Sequence, residues 1–133
     1  MVNKMNELAD RWILPLRGSR VTQIDWGDSV RFQLDPPGEI VVGYGALFTN
    51  GPRTAPGVEA KALSQLGQEE VQRSLGARIL SAVGFKNGAL RIVFDNGWHL
   101  NVRAAAPFVQ ASVTSGDSVT WSRPSAEAQH PTP

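Results

Sequence analysis

The sequence predicts an α+β domain dominated by antiparallel strands, with two pseudo-repeated meanders and one inserted helix, and three observations carry that reading. LRIVFDNGWHLNV at 90–102 alternates apolar and polar residues on both sides of a glycine turn signal. VRFQLDPPGEIVV at 30–42 echoes it, and the one good helical pattern lies between the two. A closed or partly open β-barrel built from the same strands is the alternative, because closure removes exposed strand edges.

Composition sets the bounds. A chain of 133 residues, 41% of them hydrophobic, can bury one core, so a single domain is expected over 12–122. Residues 1–11 support at most a short, frayed helix. The stretch 123–133, RPSAEAQHPTP, has three prolines and no apolar periodicity, so both ends are expected to be flexible. Thirteen Lys and Arg against twelve Asp and Glu leave a net charge of +1, with the basic residues scattered along the chain, which argues against a nucleic-acid partner. The absence of cysteine excludes disulfides, thiolate nucleophiles and Cys-based zinc sites. Glu7 and Asp10 interrupt any secretory apolar core, and no run approaches the roughly 18 apolar residues of a membrane span, so a cytoplasmic protein without a membrane partner is expected.

The elements follow in chain order. WILPL at 12–16 offers a first strand, and Pro15, which has no N–H to donate, places it at an edge. A three-residue loop at 27–29 puts Trp26 opposite Val30 and Ile24 opposite Phe32. A five-residue DPPGE loop then pairs Leu34 with Ile40 and Phe32 with Val42. In the linker at 49–76, Val58, Ala62, Leu66, Val71 and Leu75 are spaced for one apolar helix face. Gly67 costs about 1 kcal/mol relative to alanine in mid-helix, so it either weakens one helix or divides the segment into two.

Asn87-Gly88 suits a two-residue type I′ turn that pairs Phe85 with Leu90 and Val83 with Ile92. Asp95-Asn96-Gly97 suits a three-residue connection closed by a left-handed glycine, which sets Phe94 against Trp98, Ile92 against Leu100 and Leu90 against Val102. A last hairpin turns at Ser115-Gly116-Asp117. LRGSRV at 16–21 matches SLGARI at 74–79, which extends the internal duplication upstream. On these registers Arg20 and Arg78 fall on opposite faces, so either a bulge intervenes or the upstream match is chance.

The expected core is Ile24, Trp26, Phe32, Leu34, Ile40, Val83, Phe85, Leu90, Ile92, Phe94, Trp98, Leu100 and Val102. Trp12 and Trp121, on terminal strands, are the tryptophans placed for exposure. The opposite face carries Arg31 and Arg91 at matching positions, flanked by Val41, Val93 and Ala82, together with His99 and Arg103.

The order of these segments resembles a family of small, mostly actinobacterial proteins known only as a domain of unknown function. The likeness runs from Ile13 to Trp121 and is most specific at 88–102, which reads G-x-L-x-[IV]-x-F-x-x-G-x-x-L-x-V. The family pattern continues into an acidic-aromatic segment, whereas Phe108-Val109-Gln110-Ala111 has no acid. The resemblance brings no activity and no catalytic residue. Immunity or accessory roles in bacteria are what this general likeness implies.

Candidate chemistry is sparse. His99 is the one histidine inside the folded region, with Arg91 and Arg103 on its face and no carboxylate to orient it as a base. A single histidine without neighbouring ligands cannot complete a metal site, and no cofactor is expected. Asp35 and Asp95 read as turn residues accepting backbone amides two positions on. GYG at 43–45 lacks the lysine of a phosphate loop, and Ser112, Ser115 and Ser118 lack a nucleophile elbow. The expectation is a non-enzymatic interaction protein whose partner is another protein or a second copy, as in a dimer, met through Arg31, Arg91, His99 and Arg103. The alternative is a small-molecule binder or enzyme with a pocket near His99.

Overall fold

Burial alternates along the strands at 30–35 and 90–94 and shows which residues the sheets turn inward, and turn length sets which set that is. The computed structural model describes residues 6–51, 60–104, 109–116 and 118–122. Its strands are β1 (Asn6–Glu7), β2 (Arg11–Ile13), β3 (Arg20–Trp26), β4 (Val30–Asp35), β5 (Gly38–Val42), β6 (Leu47–Asn50) and β7 (Lys61–Ala62). After the helix α1 (Gln68–Gln72) come β8 (Ile79–Phe85), β9 (Leu90–Phe94), β10 (Trp98–Val102), β11 (Ala111–Ser115) and β12 (Ser118–Ser122). A seven-stranded sheet has the order β1-β2-β8-β9-β10-β6-β7, and a five-stranded sheet the order β12-β11-β5-β4-β3. All their pairings are antiparallel.

The inner faces of the two sheets share one core. Phe94 lies 6.2 Å from Phe32 and 6.3 Å from Phe48, ring centre to ring centre, so a side chain of one sheet touches both layers. Sheet edges remain open, so this is not a closed barrel. The helix expected between the halves is reduced to a 3-10 turn at Leu63–Gln65 and the short α1, which leaves a mostly antiparallel β architecture. Gly67 is the N-cap of α1, so it divides the segment instead of weakening one helix. The proposed apolar stripe does not form. Ala62 belongs to β7, Leu63 and Val71 are the buried residues, Leu75 is exposed, and Val58 lies outside the described residues.

Three registers decide which residues face the core. Trp26 opposes Val30 and Ile24 opposes Phe32, as expected. Ile92 opposes Leu100 and Leu90 opposes Val102, also as expected. The β4–β5 loop is two residues shorter than DPPGE suggested, since Phe32 opposes Ile40 and Val30 opposes Val42. An even shift leaves the faces unchanged.

The β8–β9 turn differs by an odd step, and this changes the fold's surface. Phe85 N–H donates to Ala89 O at 2.8 Å and Gly88 N–H to Phe85 O at 3.0 Å, with Gly88 at φ 98. The loop is therefore three residues with a left-handed glycine at its end, not a type I′ turn. Gly84 opposes Leu90 and Ala82 opposes Ile92, so Ala82 and Gly84 face inward while Val83 and Phe85 face outward. The other expected core residues are buried, apart from Trp26 and Trp98, which pack half-buried against the core. Trp121 is buried, contrary to its expected exposure, because it packs against Gly84.

The corrected register also removes the conflict over the upstream match. β3 carries an irregularity after Val21 and β8 carries one after Ile79, at matching positions. Each adds one residue, so Arg20 and Arg78 both point outward, and the two form an antiparallel bridge joining the sheets at one corner. Upstream, Asn6–Glu7 pairs with β2 as a strand where a short helix was expected, so β2 is not an edge, and it ends before Pro15. Residues 1–5 and 123–133 lie outside the described residues.

Gly97 has φ 93, the left-handed value its three-residue turn requires. Gly97→Val should therefore lower stability by about 1–2 kcal/mol through the backbone alone. Gly27→Val is the comparison, since that glycine has no such φ and the nearest atom to its added Cβ would be Ser29 O at 4.0 Å. Equal melting temperatures for the two variants would contradict the assigned turn.

Candidate functional site

Matched registers allow the outer faces of the two sheets to be compared position by position. On the seven-stranded sheet one outward row runs Ile13, Val83, Arg91, Asn101 and Leu47, and the next runs Ser81, Val93, His99 and Thr49. On the five-stranded sheet the corresponding rows are Asp25, Arg31, Val41 and Ser112, then Gln23, Gln33, Glu39 and Thr114. Arginine recurs at the same place in both. Around it, Asp25 is replaced by Val83, Gln33 by Val93 and Ser112 by Leu47.

The polar face satisfies itself. Asp25 accepts hydrogen bonds from Gln23 Nε2 and Gln33 Nε2, both at 2.6 Å, which hold its carboxyl below the usual value, and Arg31 Nε lies 3.3 Å from Glu39 Oε2. Gln23 and Arg31 are exposed and Asp25, Gln33 and Glu39 only half-buried, so these contacts contribute little to stability.

The other face behaves differently. Val83, Leu47, Thr49 and Asn101 point away from the core and are nonetheless buried. Arg91 stands exposed among them. Thr49 Oγ1 donates to Gly51 O at 2.6 Å, while Asn101 Nδ2 is buried without an acceptor among the described residues. His99 opposes Val93 and is half-buried. Burial and then the Arg91 charge push its imidazole below its ordinary 6.5, which favours the neutral form.

The four residues proposed from sequence are thus divided. Arg91 and His99 share a face, Arg103 is exposed one residue past the end of β10, and Arg31 lies on the other sheet, pointing the opposite way. Ala82, expected beside the arginines, faces the core. Sequence reasoning missed Val83, whose orientation depends on one residue of turn length, and Leu47 and Thr49, whose strand joins the sheet of the other half.

Asp35 and Asp95 do not form an acid pair. They lie on different sheets, and the row between them runs Asp35, Arg20, Arg78, Asp95. Asp95 Oδ1 accepts the N–H of Arg78 at 3.0 Å across the strands. The local turn bond expected of it is made by Asn96, which accepts from Trp98 N–H, and by Asn87, which accepts from Ala89 N–H. Among the described residues no three His, Asp or Glu side chains converge as a metal-ligand set. Among the same residues no helix is long and apolar enough to cross a membrane.

No curated protein and no solved structure matches the chain. Residues 12–119 match the model of a family described as a family of unknown function (DUF6188). That stretch is most of the 133 residues, so the chain belongs to this family.

Proposed function

We propose that the chain is a non-enzymatic interaction protein that meets another protein, or a second copy of itself, through the outer face of the seven-stranded sheet around Arg91 and His99. The observation that supports this reading is the difference between two outer faces of equal register. One is a face whose polar groups pair with one another around buried Val41, and the other sets an exposed Arg91 and a half-buried His99 among Val83, Val93 and Leu47, with Thr49 and Asn101 between them. Arginine surrounded by desolvated apolar side chains is the pattern of interface hot spots. The equal registers also support reading the two halves as an internal duplication whose outer faces have diverged. The reading assumes the cytoplasm as the compartment.

Arg91→Ala should weaken association by about 2 kcal/mol, roughly thirtyfold, whereas Arg31→Ala on the opposite face should leave it unchanged. Sedimentation equilibrium measures self-association, and titration of the purified partner measures hetero-association. Equal effects of the two substitutions, or none, would reject the assigned face. The same variant gives a second readout, because removing the Arg91 charge should raise the pKa of His99 in an NMR titration. The sign for stability follows from the same shift. With the folded value below the unfolded 6.5, the unfolded chain takes the proton first, so the contribution of His99 is complete above that value and declines as pH falls through the folded pKa.

A further inference from the structure

The corner where the two sheets meet carries a pair of like charges that the fold itself does not satisfy. Val21 N–H donates to Ala77 O at 2.9 Å and Ile79 N–H to Ser19 O at 2.8 Å, which makes Arg20 and Arg78 the non-hydrogen-bonded pair of the bridge. In such a pair the side chains stand closest, and directly opposed like charges are unfavourable. The backbone groups of each arginine instead face its aspartate. Arg78 N–H donates to Asp95 Oδ1 and Arg78 O accepts from Asp95 N–H, and Arg20 opposes Asp35 in the β3–β4 register. Among the described residues no carboxylate lies within ion-pair distance of either guanidinium. Both arginines are exposed.

A second observation falls at the same place. The described residues include three large apolar side chains that are well exposed, and two of them, Leu75 at 45% and Leu80 at 49%, lie within three residues of Arg78. Leu80 is the extra residue of the β8 irregularity and alternates with buried Ile79, so it shares the outward side of Arg78. Arg17, also exposed, is one residue from Gly18, whose N–H donates to Ile79 O.

We propose that this corner, centred on Arg20 and Arg78, is a docking surface for a protein segment that carries a carboxylate between apolar side chains. This surface is distinct from the face around Arg91. A carboxylate seated between the two guanidiniums would remove their repulsion, and Leu75 and Leu80 would meet the flanking apolar groups. The exposed Leu75 and Leu80 offer nothing to a phosphate backbone, whereas they suit the apolar side chains of a peptide. A second copy docking the same corner would oppose arginine to arginine.

The test uses the full chain, labelled with nitrogen-15, titrated with a short synthetic peptide of glutamate and leucine. Two further probes are the same peptide with glutamine for glutamate and a heparin oligosaccharide. The glutamate peptide should shift the amides of residues 17–20 and 75–80, and the glutamine peptide should not. R20Q/R78Q should weaken that binding roughly tenfold or more, as loss of buried charged contacts does, while raising the melting temperature slightly. That opposition of signs separates a docking pair from a structural one. Unchanged affinity in the double variant, a fall in its melting temperature, shifts mapped elsewhere, or heparin binding more tightly than the peptide would each overturn the proposal.

Discussion

Trp121→Ala should lower the stability of the protein by about 3–5 kcal/mol, the range for deleting a buried aromatic side chain. Trp121 belongs to β12, the last strand of the five-stranded sheet, yet its ring lies over Gly84 in β8 of the seven-stranded sheet. It is 7% exposed and is part of the common core. Removing the ring leaves a void between two layers that cannot close without moving one sheet against the other. Urea unfolding followed by circular dichroism would measure the loss. A midpoint within error of the wild type would mean that β12 does not fasten the layers.

Gly84→Val is expected to cost about 1–3 kcal/mol by overpacking the same contact from the other side. A Cβ at position 84 would stand 2.6 Å from Trp121 Cδ1 and Nε1 and 2.8 Å from Cδ2, closer than any real side chain tolerates. The obstacle is a ring held in the core, so relief requires the hairpin that bears it to shift. Combining Gly84→Val with Trp121→Ala should therefore cost less than the sum of the two, because the valine occupies space the indole has left. Strict additivity would show that the two residues act on stability separately.

The parts of the fold that were legible in the sequence are those set by local turn chemistry. Asp95-Asn96-Gly97 specified its register because a three-residue loop ending in left-handed glycine keeps Phe94, Ile92 and Leu90 on one face. Asn87-Gly88 carries an equally good local signal for a different turn, and the tertiary contact prevailed. Seating Trp121 needs glycine at the inward position, which a three-residue loop supplies and a two-residue loop does not. Trp121 is buried where its terminal strand suggests exposure for the same reason, since the ring's cover comes from a strand far away in sequence. The candidate face was half legible. The alternation of Arg91 and His99 with core residues was correct, but joining Arg31 to them assumed one sheet where the chain builds two.

That division has a consequence for how the protein is made. β5 ends at Val42, and β11, the strand that covers its edge, starts at Ala111; β6 follows β5 yet pairs with β10. During synthesis the meander of β3, β4 and β5 therefore waits, with the GEIVV edge of β5 bare, until nearly the whole described chain has left the ribosome. Neither half can mature as a unit, because each lends the other a strand. Pairings so distant in sequence make folding slow, and the interval before β11 arrives is when a nascent chain is most open to pairing with its neighbour on the same messenger.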